Sequence, residues 1–467
     1  MGLPNFLTDL NPEIYLSDNY IVLDKETTNV NFGHARNKDN RHLLSVWRDS
    51  VSFQHSITSE YGLAELHQAI EGADFIVAHC GKFELQWLQR EGYDTTKLLV
   101  YDTMLAEYVL QGNVRQPLDL DSVARRYNVG TKSSYIASSI GGGVCPSELP
   151  TSKLLDYCKN DVDVTHKIFL EQRKLLKAKG LLPTLFTRCI FTPVLADIEL
   201  NGMHLDKERV IAEYETTARL HNELEVKLSA LASGINLGSP KQLGEYLYKK
   251  LKFEELTDRK GKLLRTASGQ PMTDTATLLA LKATTMEQKQ FKELYAAYNK
   301  ADAALSKNLE YFYGVVTEGN GTFFANFLQS ITQTHRLSSS GQKSEFTKFL
   351  TAKGKPKPKS IQFQNFARAY KKLFSARDVG WVIAERDASQ LEFRVAAFLG
   401  QDPQAISDIV NKEDIHSYTA ACVYAADALR MSVPKAFEWM LKNKDTDPRA
   451  KEWRQKAKAF SFRPLTV

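Results

Sequence analysis

Asp24 and Glu26 stand two residues apart at the end of an apolar run, residues 20–23. On a strand such a pair projects from one face, so the two carboxylates can hold a common metal ion, although the same spacing also occurs on exposed strands that bind nothing. Glu84 falls about one turn into a helix after the apolar strand 75–78, and Tyr157 and Asp161 lie four apart in LLDYCKNDVDVTHKIFL, on one face of a helix. Each of these also reads as an acid on a solvated helix face. A further carboxylate, Asp387, stands where WVIAERDASQLEFRVAAFLG changes from a strand-like run at 382–384 to helical spacing at Leu391, Val395, Phe398 and Leu399. At such a join a carboxylate is held rigidly and points past the sheet edge, as metal-dependent phosphoryl or nucleotidyl transfer needs. Ser389 and Glu392 also fit a capping box, which would make Asp387 a turn residue.

The elements that must position these groups follow from periodicity and breakers. Strands are expected at 42–48 and 51–56 and a helix at 63–69; Gly180 and Pro183 in AKGLLPTL mark a boundary. Ser239, Pro240 and Lys241 would open a helix with proline in its first turn, and a long helical region is expected over 275–316. The tract KGKPKPKS, 353–360, cannot be a regular helix, since its prolines lack amide hydrogens, and it reads as an exposed basic loop. A last helix begins near Ala450 and lines up Arg454, Lys458 and Phe462 at every fourth residue.

Length bounds the chain at about two to four domains. No apolar run is long enough to span a bilayer, and MGLPNFLTDLNPEIYL lacks the pattern of a signal peptide, so a cytoplasmic protein with no membrane partner is expected. Cys80, Cys145, Cys158, Cys189 and Cys422 are scattered with no CxxC pair, which argues against a disulfide framework or a zinc site. The net charge is +6, but residues 330–380 hold eleven Lys or Arg against two acids, which marks that stretch as the place for a polyanion.

Asp387, Ser389, Gln390, Glu392 and Arg394 together form DxSQxExR, which resembles motif A of the family A DNA polymerases, the group of bacterial DNA polymerase I and its bacteriophage relatives. The resemblance implies that Asp387 binds both catalytic metals of a polymerase site. It places Gln390 and Glu392 at the incoming nucleotide, with Glu392 crowding the sugar 2' position. Companions follow in the family's order. ITQTHRLSSSGQ is similar to TxTGRLSS, with His335 where glycine is usual, and implies that Arg336 and Ser338 lie beside the primer strand. Gln364 and Asn365 match a Gln-Asn pair, and Lys371 and Lys372 add DNA-facing charge. Asp414, Ile415 and His416 match Asp-Ile-His, whose histidine reaches the nucleotide phosphates. Arg454, Lys458 and Phe462 resemble motif B, with the cations on the triphosphate and the ring against the base.

Taken in order, Asp24 and Glu26, then Glu84, then Tyr157 and Asp161 resemble the three motifs of the DnaQ-like proofreading 3'-5' exonucleases, whose RNase H-like fold is a mixed sheet flanked by helices. The resemblance implies four acids holding two Mg2+ ions roughly 4 Å apart, with Tyr157 orienting the attacking water. The second motif departs from His-Asn-x-x-Phe-Asp, since Cys80 replaces the asparagine and Glu84 the aspartate. Asp102, in VYDTML, reads as structural.

The implied fold class is α/β, with an RNase H-like exonuclease domain at 1–180 followed at 181–467 by part of a family A polymerase domain: helical thumb, incomplete palm and the start of the fingers. The implied function is DNA-directed DNA synthesis with 3'-5' proofreading in replication, acting on primer-template, single-stranded DNA and deoxynucleoside triphosphates. The sequence reads FRPLTV where motif B would go on to Tyr-Gly, and motif C, which brings the second metal-binding aspartate, would lie downstream. An interrupted reading frame and a second chain supplying motif C are therefore expected, with Asp387 as half of a metal site and exonuclease as the activity of the chain alone. No 5'-nuclease domain precedes the exonuclease motifs, which points to a bacteriophage source. The alternative is a non-catalytic DNA-binding remnant.

Overall fold

The computed structural model describes residues 11–462 apart from 52–54, 60–61, 113, 131–133, 233, 259–260, 267, 342–343, 351–355 and 360–362. The chain divides into two compact units, Met1–Trp381 and Val382–Val467.

The first unit is built on a five-stranded mixed sheet. Strand β1, Tyr20–Thr27, is central, and its first four residues are all buried, so apolar side chains fill both faces where it begins. Beside it β2, His42–Asp49, runs antiparallel, with Asp24 opposite Val46 and Glu26 opposite Leu44; β3, Ser56–Thr58, pairs antiparallel with β2. Of the strand expected at 51–56, residues 52–54 lie outside the described residues; the Asp49 carboxylate accepts the Val51 N–H at 2.8 Å, and pairing with β2 is seen from Ser56. Helix α1, Leu63–Glu71, crosses to β4, Phe75–Ala78, which is parallel to β1, and α2, Lys82–Arg90, leads to β5, Val100–Asp102, parallel to β4. Parallel neighbours require such crossovers.

Helices α3 (Thr103–Gln111), α4 (Leu120–Tyr127) and α5 (Ser134–Gly141) precede α6, Thr151–Ala178, which packs across β1, β2 and α3. Its buried positions, among them Leu154, Tyr157, Cys158, Asp161 and Val162, recur at three and four residues as a core-facing stripe must. The long helix stops at Gly180, whose φ of +66° is a left-handed value that suits glycine. The sheet's core nevertheless continues into α7 (Leu182–Cys189) and α8 (Thr192–Asn201), through Leu185, Phe186 and Ala196.

Beyond β6 (Met203–His204), helix α9 (Lys207–Leu231) is followed by α10 (Pro240–Gly244), capped by Ser239 with Pro240 in its first turn as the sequence implies. The region 275–316 is not one helix. It holds α11 (Thr275–Ala280), α12 (Met286–Ala304) and α13 (Glu310–Thr317), because Thr285 and Gln288 form a capping box that starts a new helix. Helix α9 packs on α12 and α13. Five strands follow these helices, the last two forming a hairpin. β7 (Thr322–Phe323) pairs with β6, β8 (Ala325–Leu328) with β9 (Ser338–Gly341), and β10 (Ser344–Leu350) with β11 (Pro356–Lys359). The basic tract is thus partly a strand rather than a loop. Prolines at alternate positions are tolerated on an edge strand, where their missing N–H faces no partner; Lys353, Lys355 and Ser360 lie outside the described residues.

The second unit is helical: α14 (Leu391–Gly400), α15 (Pro403–Val410), α16 (Ile415–Ala420), α17 (Ala426–Leu429), α18 (Val433–Asn443) and α19 (Pro448–Phe462). Alanines 420, 421, 425, 436, 450 and 457 form its core around Met440. The strand expected at 382–384 is not formed. A strand needs a neighbour for its amides and carbonyls, and among the described residues none pairs there; Val382 is 86% exposed. The expected Ser389–Glu392 capping box is also absent. Gln390, at φ +53°, occupies the cap position one residue later, and Arg394 Nε donates to the Ser389 carbonyl at 2.8 Å instead. Among the described residues no helix is long and apolar enough to cross a membrane.

Within the first unit, Glu199 of α8 is 4% exposed and accepts Lys82 Nζ and Gln86 Nε2, each at 2.7 Å, as well as the Phe327 amide of β8. Removing one partner of a buried pair strands the other charge, so Glu199→Ala should lower unfolding stability by about 3 kcal/mol and Glu199→Gln by less. The denaturant midpoint of the two variants measures this, and equal midpoints for Glu199→Ala and wild type would remove the pair from the account.

Candidate active site

Strand β1 presents Asp24 and Glu26 on one face, and α6 lays Cys158 over them. The Cys158 thiol donates to Asp24 Oδ2 at 2.9 Å, and one donor atom from each of Asp24, Glu26 and Cys158 lies within 4.8 Å of the others. Tyr157 and Asp161 are buried on the same stretch of α6. Glu84, in the first turn of α2, is 3% exposed, and its Oε2 meets no hydrogen-bond donor. Burial pushes the Glu84 carboxyl well above the usual range, and neighbouring Asp24 pushes it further. Burial also raises the Cys158 thiol, followed by Asp24, Glu26 and Asp161. Asp24 and Glu26 thus share a cluster with Cys158, Asp24 raises the buried Glu84, and Asp161 adds to the rise of the thiol. Crowded oxygen donors, one of them buried without a donor of its own, fit a divalent cation, whose charge relieves the repulsion that raises Glu84.

Lys25, between the two acids, points to the other face by strand alternation. Its ammonium donates to Glu91 Oε2 at 2.8 Å and to Ser45 Oγ at 2.9 Å. Glu91 directly follows α2, so this buried pair ties the end of that helix to β1.

The start of α2 is set by Asp102. Its Oδ1 accepts the amides of Cys80 (3.1 Å), Met104 (2.9 Å) and Leu105 (3.3 Å), and its Oδ2 accepts that of Gly81 (2.9 Å). Burial pushes this carboxyl up to about 6 while the four amides pull it down. One carboxylate thus caps α3 and fixes the turn from which α2 departs, which supports the structural reading of Asp102. Cys80 sits at φ +67°, where asparagine settles more readily than most side chains, and this accounts for the residue usual there. A Cβ on Gly81 would fall 2.7 Å from Val100 Cγ2, so that position needs glycine. Cys158 was not singled out in the sequence, although its place three residues before Asp161 on a buried helix face was a legible signal.

In the second unit Asp414 caps α16 and accepts Lys444 Nζ at 2.9 Å and Arg454 Nη2 at 3.2 Å. Burial would raise the Asp414 carboxyl, but these cations outweigh it and hold it well below the usual range. His416 is buried, and its pKa is lowered by burial, then by Arg454, with Lys458 contributing. Helix α19 thus brings two expected phosphate-binding cations to the expected histidine. Asp387 and Glu392 are exposed, and Gln390 is half-buried at the α14 cap. The side chain of Phe462 and residues 463–467 lie outside the described residues.

In the first unit Arg336, Gln364, Lys371 and Lys372 are exposed, and Ser338 opens β9. Lys372 pairs with Glu213 at 2.8 Å. Asn365 ends a short turn, Phe363–Asn365, and its side chain lies outside the described residues. His335 has φ +60°, which explains why glycine is usual at that place, and Arg188 Nε donates to its Nδ1 at 3.1 Å.

Losing the Asp102 carboxylate would orphan buried amides. Asp102→Ala should therefore cost at least about 3 kcal/mol, and Asp102→Asn less, because its one carbonyl oxygen still serves three amides and only Gly81 faces an NH2. Thermal unfolding of both variants tests the order, and an Asn variant weaker than Ala would contradict it.

Residues 7–177 match the family model for the 3'-5' exonuclease and residues 208–436 that for DNA polymerase family A. DNA polymerase I of Pseudomonas aeruginosa is 28% identical over 332 residues, covering 70% of this chain and 34% of that protein. DNA polymerase I of Synechocystis sp. is 28% identical over 362 residues, covering 74% of this chain and 33% of that protein. DNA polymerase I of Aquifex aeolicus is 24% identical over 464 residues, covering 95% and 67%. The chain therefore spans about a third of the length of the first two relatives. A solved structure described as the POL domain of Pol1 from M. smegmatis in complex with DNA primer-template and dNTP shares the fold, with a TM-score of 0.65 over 97% of this chain and 70% of that one at 18% identity. With the acid-bearing sheet under one family model and the stretch from α9 into α18 under the other, the chain belongs to family A of the DNA polymerases and carries a 3'-5' exonuclease domain ahead of its polymerase region.

Proposed function

We propose that this chain acts in the cytoplasm as the proofreading part of a replicative family A polymerase and removes nucleotides from 3' ends of single-stranded DNA. What supports this is the pair Asp24 and Glu26 on β1 clustered with Cys158 of α6, the buried Glu84 of α2 raised by Asp24, and Asp161 on the buried stripe of α6. Divalent ions held there, Mg2+ in the cell, would supply the activation of water and the stabilisation of the leaving oxygen. Asp24 and Glu26 hold from the sheet, Asp161 from α6, and Glu84 reaches in with one methylene more than the aspartate usual at its position. Tyr157, one turn before Asp161, orients the attacking water. Lys25 and Asp102 keep α2 at a fixed height against β1, so that Glu84 stays within reach.

For the polymerase region, the proposed contacts with primer-template are Arg336, Ser338, Gln364, Asn365, Lys371 and Lys372, in the most basic stretch of the chain. Asp387, Gln390, Glu392, His416, Arg454, Lys458 and Phe462 are the proposed nucleotide side. Arg454 is engaged by Asp414, so a triphosphate must compete with that carboxylate. Nucleotidyl transfer needs a second carboxylate beside Asp387, from a continuation of this chain or from a second chain.

Digestion of a 3'-labelled oligonucleotide in Mg2+ tests the nuclease reading. Asp24→Ala and Glu84→Gln should each slow it at least about 100-fold with unchanged circular dichroism. Salt-sensitive DNA binding without digestion by the wild type would instead identify a non-catalytic binder. For the DNA contacts, Lys371→Ala should reduce the slope of log affinity against log salt by about one. Efficient primer extension by these 467 residues would show that Asp387 needs no carboxylate from outside them.

A further inference from the structure

The thiol over the acid pair is a donor of a different kind from its neighbours. Cys158 is fully buried, its sulfur lies 2.9 Å from Asp24 Oδ2, and it shares with Asp24 and Glu26 a volume in which their donor atoms are no more than 4.8 Å apart. A second observation points to a ligand near Asp24. Glu84, beside Asp24 and 3% exposed, has an Oε2 with no donor. In a tetrahedral site with bonds of about 2.3 Å to sulfur and about 2.1 Å to oxygen, donors stand roughly 3.5 Å apart, so the 2.9 Å contact of the thiol with Asp24 Oδ2 must open, while the cluster as a whole, within 4.8 Å, is already of the right size. Small, hard Mg2+ is satisfied by carboxylates and water, whereas Zn2+ and Cd2+ gain from sulfur.

We propose that Cys158 is a third donor, with Asp24 and Glu26, to thiophilic divalent ions, so that this site holds Zn2+ or Cd2+ in an O,O,S set that Mg2+ does not use. On binding, the S–H proton passes to solvent and the sulfur turns from Asp24 Oδ2 to the ion. The inference rests on the reading that Asp24 and Glu26 hold a divalent ion. It goes beyond that reading in giving the site a preference that its carboxylates alone would not confer.

The test is a Cd2+ titration of the full chain, read by the ultraviolet sulfur-to-cadmium charge-transfer band, beside Mn2+ binding followed by electron paramagnetic resonance. Expected are a band that saturates at one equivalent, its loss in Cys158→Ser and in Asp24→Asn, and its persistence in Cys80→Ser and Cys422→Ser. Cd2+ affinity should fall at least about tenfold in Cys158→Ser while Mn2+ affinity stays within about threefold. Thermal unfolding confirms that each variant is folded, and Cys158→Ala provides a second thiol-free chain. A full band in folded Cys158→Ser and Cys158→Ala, with Mn2+ still lost in Asp24→Asn, would overturn the sulfur ligand and leave the acid site standing. Failure of both ions to bind in an Asp24-dependent way would overturn the acid site itself.

Discussion

Four backbone amides converge on the carboxylate of Asp102, and the geometry of the acid cluster depends on that convergence. The turn after β4 has a left-handed residue, Cys80, and a glycine pressed against Val100, neither of which would hold its place unaided. Bound to Asp102, the turn becomes a fixed point of departure for α2, and Glu84 inherits that position. The aspartate is costly to bury, and only the number of its donors makes burial tolerable.

The acids of β1 present the opposite situation. Asp24 and Glu26 stand together with Cys158, and Asp24 raises the buried Glu84, yet Lys25 between the first two faces away and is matched by Glu91. The sheet thus separates two kinds of charge balance. On one face a lysine and a glutamate match; on the other, two carboxylates and a thiol stand together. The second unit balances its charges as the first face does: Asp414 takes up both Lys444 and Arg454.

The sequence made the acid site legible because its parts are carried by strong local patterns. An apolar run delivers Asp24 and Glu26, and a long amphipathic helix delivers Tyr157 and Asp161. Less legible were features decided by partners remote in the chain. Residues 382–384 have the composition of a strand, but composition does not provide a neighbour to pair with. The PKPK tract has prolines that forbid helix, yet an edge position lets it pair with β10. The start of α14 was missed by one residue because Gln390 takes a left-handed turn that no local motif announces. The break before α12 was readable from the Thr285–Gln288 spacing, and so was Cys158 from its place on the α6 stripe. The substitutions at Cys80 and His335 acquire their meaning from positive φ values, which spacing alone does not reveal.

Helix α2 meets three obligations at once. Glu84 looks to the acids, Lys82 and Gln86 look to Glu199, and Glu91 just beyond the end looks to Lys25. Each added or deleted residue would rotate everything after it by about 100° and shift it by about 1.5 Å. No single-residue indel between Lys82 and Glu91 can keep all three in register. Descendants of this gene can therefore vary the helix by exchanging letters at its open positions, but its length is frozen.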